Sequence, residues 1–102
     1  MNIIGIIPAR MASSRFPGKP MIDILGMPMI GHCLKRSEMS SLLDDVYVAT
    51  CDTEIYDYIT SVGGKAVMTA DTHERASDRT AEALLKIEED TGTPIDIVVM
   101  LQ

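Results

Sequence analysis

Asn2-Ile3-Ile4-Gly5-Ile6-Ile7-Pro8-Ala9-Arg10 decides how the rest of this chain is read. Asn2 to Ile7 is β-branched and almost continuously apolar, without the alternation of a strand that faces water on one side. That pattern belongs to a strand buried on both faces, as in a parallel sheet. From Pro8 to Pro20 the periodicity gives way to Pro, Ser, Gly and Arg. Loops of this length inside a small domain usually carry function.

Downstream the same alternation repeats. Pro28 suits a first helical turn, and Ile30, Cys33, Leu34 and Met39 follow at roughly helical spacing, which predicts a helix from Pro28 to about Met39. Val46 to Thr50 reads as a second strand. Thr53 can cap a helix burying Ile55, Tyr58, Ile59 and Val62, and Gly63-Gly64 ends it. Lys65 to Thr69 is a short third strand. A polar loop, Ala70 to Ala76, leads to Ser77, a good N-cap. The third helix would bury Ala81, Leu84, Leu85 and Glu88, with Ile87 at the border, and would close at Asp90 to Pro94. Ile95 to Leu101 is a fourth buried strand.

The order β-α-β-α-β-α-β implies an α/β fold, Rossmann-like and in three layers, with a parallel sheet between helices. Ligands of such sheets bind at the carboxyl ends of the strands, where strand order reverses. The 8–20 loop, Cys51-Asp52, the 70–77 loop and Gln102 would meet there. The pattern stops at Gln102 without a return helix, so the expectation is a sheet truncated after its fourth strand. Residues 1–102 would then be an incomplete domain.

Composition narrows the function. The 102 residues allow one domain at most. With 46% hydrophobic and 24% charged residues, the chain is neither a disordered tail nor a collagen-like repeat nor a coiled coil. Fifteen acidic residues against nine basic ones give a net charge of -6, which repels nucleic acid and anionic membrane at long range. Aromatics are 4%, with no Trp, too few for a base-stacking platform. Two cysteines cannot build a disulfide framework, and a reducing cytoplasm fits them best. No apolar run approaches the roughly 20 residues of a membrane span, and the N-terminus lacks the basic start of a signal peptide.

The charge is unevenly placed. Residues 1–22 hold Arg10, Arg15 and Lys19 and no acid. Three cations on a small-residue loop can wrap a triphosphate, since small residues let backbone amides approach oxygens and Arg offers a planar fork. Composition alone is equally consistent with a solvated basic loop; its place at the mouth of the sheet favours the anion site. Other phosphate motifs fail. G-x-G-x-x-G is absent. Gly18-Lys19 is followed by Pro20 where a P-loop needs Ser or Thr, and position 13 is not Gly. His32, Cys33, Cys51 and His73 lack zinc-ligand spacing, and a lone Cys or His is more often core or surface than nucleophile.

The stretch PARMASSRFPGKPM, Pro8 to Met21, resembles the PAR-x-x-S-x-R-x-P-G-K-P signature of the 3-deoxy-manno-octulosonate cytidylyltransferases, the CMP-Kdo synthetases. Related sugar-acid cytidylyltransferases, such as those for sialic acid, carry a looser version. Ile24 to Ile30 is similar to the family's I-x-G-x-P-M-I. Val48-Ala49-Thr50-Cys51-Asp52 resembles its V-A-T-D, with Cys51 inserted. Val67-Met68-Thr69 and His73 to Arg79 resemble M-T…H-x-S-G-T-x-R, with Arg75-Ala76 replacing Ser-Gly; Arg75 would offer a fourth cation there. Val98 to Gln102 is similar to the strand that runs into Q-G-D-E-P. The resemblance spans the whole chain in order and matches the first, nucleotide-binding half of the family.

What the resemblance implies is a CTP-dependent transfer. The anomeric hydroxyl of a Kdo-like sugar acid attacks the α-phosphate, and pyrophosphate leaves, for lipopolysaccharide synthesis. Ala9 and Arg10 would line the cytosine and ribose end. Arg10, Arg15 and Lys19 would hold the triphosphate and act as the catalytic cations. Ser77 and Arg79 would help read the nucleotide, and Gln102 would reach the base or ribose. Outside the resemblance, Ser77 reads as a helix cap and Arg79 as a first-turn surface residue. Mg²⁺ is the implied cofactor, with ligands expected beyond residue 102; Asp52 and Asp78 match no ligand position. The implied partners are CTP and a sugar acid, with homodimers for intact members. Two alternatives stay open: a non-catalytic nucleotide-binding half-domain, and a nucleotidyltransferase for another sugar acid or another nucleotide.

Overall fold

The computed structural model describes residues 2–11, 18–73 and 75–101, with Lys19 through its backbone. Strand β1, Ile3–Ala9, lies at the centre of a parallel sheet. It pairs with β4, Asp45–Thr50, on one side and with β6, Ile97–Met100, on the other. Strand β5, Lys65–Met68, pairs with the far edge of β4, giving the order β5-β4-β1-β6. Counting sheet strands along the chain, the third, second, first and fourth stand side by side, so strand order reverses between β1 and β6.

Side chains alternate across β1, and each face finds its own helices. Ile7 joins Val46 and Val48 against Ile30 and Leu34 of helix α1, Met29–Glu38, and Ile55 and Ile59 of helix α2, Thr53–Ser61. Ile4 and Ile6 join Ala49 against Ala83 and Ile87 of helix α3, Ala76–Thr91. The result is the expected three-layer α/β arrangement. Burying each of these Ile side chains stabilises the fold by about 1.5–3 kcal/mol. Gly5 sits between the layers: a Cβ there would lie 2.9 Å from Leu43 Cδ1 and 3.0 Å from Leu101 Cδ1, so the close approach of these two leucines depends on the missing side chain. Among the described residues no helix is long and apolar enough to cross a membrane.

Several expectations are corrected. β1 runs on through Pro8 and Ala9, which the sequence assigned to the loop. The segment before α1 is not featureless: a 3₁₀ turn covers Lys19–Met21, and β2, Asp23–Ile24, pairs antiparallel with β3, Met27–Pro28. Two-residue strands are too short to leave a period in the sequence. Pro28 caps α1 rather than opening it, and Met39 is 83% exposed because the helix has ended one residue before it. Val62 follows the end of α2 and is exposed for the same reason.

Helix α3 differs in phase. Its N-cap is Arg75, so Ser77 is already the second helical residue and is exposed. The buried face carries Arg79, Thr80, Ala83 and Ile87, whereas Ala81 and Leu85 face solvent. Two of those four buried residues are polar, and counting apolar residues therefore rotated the helix towards Leu84 and Leu85. Thr80 Oγ1 satisfies itself on Ala76 O at 2.8 Å. Strands β5 and β6 are also shorter than their apolar runs, losing Thr69 at one end and Ile95, Asp96 and Leu101 at theirs.

Candidate functional site

The carboxyl ends of β1, β4 and β5 lie level: Ala9 stands opposite Thr50, and Thr50 opposite Met68. The chain leaves the sheet at this level into three segments, after Ala9, after Thr50 and after Met68. Ala9 and Arg10 are both half-buried at the rim. Arg15 and Gln102 lie outside the described residues, as does the side chain of Lys19.

The first segment is closed at its neck. Gly18 N–H donates to Met11 O at 2.7 Å, and Met21 N–H donates back to Gly18 O at 3.0 Å. Gly18 holds φ +77°, a conformation that favours glycine. Met11 N–H donates to Asp52 Oδ2 at 2.8 Å. The first and second segments are therefore tied together, a link with no local signature in the sequence.

The third segment is fixed from below by helix α3. Thr69 N–H continues the ladder onto Thr50 O at 2.9 Å. Arg79 Nε donates to Thr69 Oγ1 at 3.0 Å, and its Nη2 donates to Ala70 O at 3.3 Å. Arg79 is 3% exposed, so it is not the surface residue that its place in the first turn suggested. Glu82 Oε1 accepts Ala70 N–H at 3.0 Å and meets His73 Nε2 at 2.7 Å, while its Oε2 pairs with Lys86 Nζ at 2.8 Å. These donors hold the Glu82 carboxyl down at about 2, with Lys86 the largest cause and the Ala70 amide next. Lys86 Nζ also donates to Met68 O at 2.6 Å. Glu82 and Lys86 escaped the sequence reading: their i,i+4 spacing is that of an ordinary surface pair, and their bonds to Ala70 N–H and Met68 O reach another segment.

Cys51 sits between these segments, half-buried, with Sγ 3.7 Å from Asp52 Oδ2. Burial, then the Asp52 charge, push its thiol up, with Arg79 opposing. A thiol kept protonated is a poor nucleophile. Among the described residues no three His, Cys, Asp or Glu side chains group as a metal site.

The geometry is that of a parallel α/β sheet with three segments gathered at the carboxyl ends of its strands. A family model described as cytidylyltransferase matches residues 4–102. The chain belongs to the cytidylyltransferase family. It is 49% identical over its full length to a 3-deoxy-manno-octulosonate cytidylyltransferase of Syntrophobacter fumaroxidans, covering 40% of that protein. It is 44% identical to an 8-amino-3,8-dideoxy-manno-octulosonate cytidylyltransferase of Shewanella pealeana, again over 100% of this chain and 40% of the relative. A solved CMP:2-keto-3-deoxy-manno-octonic acid synthetase complexed with CTP superposes with TM-score 0.89 at 39% identity, over 100% of this chain and 40% of that one. The chain thus spans well under half the length of the relatives it matches within the cytidylyltransferase family.

Proposed function

We propose that residues 1–102 form the nucleotide-binding part of a CTP-dependent cytidylyltransferase acting on a Kdo-like sugar acid. The observation that carries this reading is the cationic segment after β1, closed at Met11 and Gly18 and opening at the point where strand order reverses. Resemblance to a solved synthetase complexed with CTP supports it.

In this reading Arg10, Arg15 and Lys19 neutralise the triphosphate, and Ala9 lines the cytosine and ribose end. Ser77 and Gln102 read the nucleotide. Arg79, buried below the 69–75 segment, serves recognition by holding that segment. In the complete reaction the anomeric hydroxyl of the sugar acid attacks the α-phosphate in line. The P–O bond to the leaving group breaks, pyrophosphate departs with the electron pair, and the hydroxyl proton is lost to solvent or base. Such chemistry rests on positioning and on charge neutralisation. The described residues do not fit a magnesium site, and Asp52 already spends an oxygen on Met11. In this reading the ligands of Mg²⁺ come from outside the described residues. The product feeds cell-surface lipopolysaccharide synthesis in the cytoplasm.

Calorimetry of the purified chain with CTP and UTP tests the reading. CTP should bind and UTP should bind more weakly. Lys19→Ala and Arg15→Ala should each weaken CTP roughly tenfold to a hundredfold, the value of a charge-assisted contact. Unchanged CTP binding in both variants removes the assignment. A second reading, that residues 1–102 alone bind without turnover, is favoured by the 40% coverage of the relatives. Pyrophosphate release from CTP, Mg²⁺ and Kdo at an ordinary enzymatic rate would rule it out.

A further inference from the structure

Asp52 is the N-cap of α2. Asp in this position commonly turns its carboxylate onto the first-turn amides, a contact worth about 1 kcal/mol. Asp52 makes no such bond. Its Oδ2 reaches instead to the amide of Met11 at 2.8 Å, 41 residues back along the chain.

The register explains why. Ala9 stands opposite Thr50, so Met11 reaches the level of Asp52, where β4 has already turned towards α2. The Asp52 carboxylate supplies the acceptor there. Asp52 N–H is itself anchored on Thr50 Oγ1 at 3.1 Å, and Thr50 is fully buried. Met11 closes the neck on its other side through Gly18, and the Met11 and Met21 side chains pack on the core of Ile7, Ile30 and Ile55. Met11 and Gly18 are thereby tied to the end of β4.

We propose that Asp52 is a positioning residue whose side-chain oxygen fixes Met11, and through it Gly18, in register with β4, so that these two anchor points of the cationic loop stand in place before a nucleoside triphosphate binds. The proposal rests on the nucleotide reading above. It also specifies which property of Asp52 matters. A negative charge beside a triphosphate is unfavourable, so the loop needs the acceptor and not the charge. Anchor points fixed before binding leave less freedom to lose on binding.

The test compares Asp52→Ala with Asp52→Asn, whose amide oxygen still accepts from Met11. Amide exchange of Met11 and Gly18 is read against Val48 in the core, and CTP affinity is read by calorimetry. Asp52→Ala should speed exchange at Met11 and Gly18 while Val48 stays protected, and should weaken CTP roughly tenfold. Asp52→Asn should keep both amides protected and bind CTP within about threefold of the wild type. Equal loss in the two variants would show that the charge matters and overturns the proposal. So does loss of Met11 protection in Asp52→Asn with Val48 still protected, whatever Asp52→Ala does to α2. A wild-type chain that binds no CTP overturns the nucleotide reading instead, and the exchange comparison still decides the neck.

Discussion

Arg79 Nε donates to Thr69 Oγ1 at 3.0 Å, and both residues are buried. The bond joins the first turn of α3 to the residue that follows β5. A guanidinium taken out of water is tolerated when its donors are met, and here Thr69 and Ala70 meet two of them.

Arg79→Ala should therefore unsettle the fold before it affects any ligand. It removes two hydrogen bonds from a charged donor and leaves a cavity under the 69–75 segment. A loss of about 2–4 kcal/mol is expected, read as a lower midpoint in urea. Arg79→Lys should recover little of it, because an ammonium cannot reproduce the planar fork.

Glu82 sets an acid limit. Its folded carboxyl titrates at about 2, against an ordinary value of 4.5. The folded value is the lower one, so this stabilisation is complete above about pH 4.5 and is lost as pH falls towards 2. Glu82→Gln should cost on the order of 1–2 kcal/mol at pH 7, a partly exposed network being screened. The cost should shrink progressively below pH 4.5. Urea denaturation of both proteins across that range measures it; a pH-independent difference would break the link to Glu82 ionisation.

Gly31 fixes how closely α1 meets its neighbours. A Cβ there would lie 2.5 Å from Tyr58 Oη and 2.9 Å from Met27 Cγ. Alanine would gain up to about 1 kcal/mol in helix propensity, but overpacking costs about 1–3 kcal/mol. Gly31→Ala should be net destabilising by roughly 1 kcal/mol. In a Tyr58→Phe background, without the clashing oxygen, the cost should fall, and a double-mutant cycle reads the coupling.

The contrast between legible and hidden features follows range along the chain. β1, β4 and α2 announce themselves, because their apolar residues recur at a fixed local period. The hairpin around Leu25-Gly26 does not, because its strands are two residues each. The phase of α3 was hidden by Arg79 and Thr80, whose burial makes sense once Thr69 and Ala76 are seen to receive them. The cationic loop was legible as charge and composition. Its neck was not, because Asp52 and Met11 are joined through the sheet register alone.

Leu25 sits in that hairpin at φ +54°, followed by Gly26 at φ +85°. Two successive positive φ values mark a type I′ turn, which favours Asn-Gly. Leu25 is 97% exposed and so gains nothing from packing in return. A left-handed non-glycine residue costs about 1–2 kcal/mol. Leu25→Asn should raise stability by about 0.5–1 kcal/mol, seen as a higher melting temperature with the His32 Nε2 bond to Ile24 O, 2.7 Å, retained.

Arg10 should behave as the opposite of Arg79. It lies half-buried at the rim, one residue past the end of β1, and among the described residues it forms no ion pair. Removing a side chain at the rim that has no ion-pair partner among the described residues usually changes stability by less than about 0.5 kcal/mol. If Arg10 grips phosphate oxygens as proposed, its loss falls on the ligand. Arg10→Ala should unfold in urea at nearly the wild-type midpoint yet bind CTP roughly tenfold or more weakly. The weakening should extend to free pyrophosphate if the contact is to the β- or γ-phosphate, and should spare it if the contact is to the ribose or α-phosphate. A fall in stability comparable with that of Arg79→Ala, without loss of CTP affinity, would make Arg10 a structural residue and leave the triphosphate to Arg15 and Lys19.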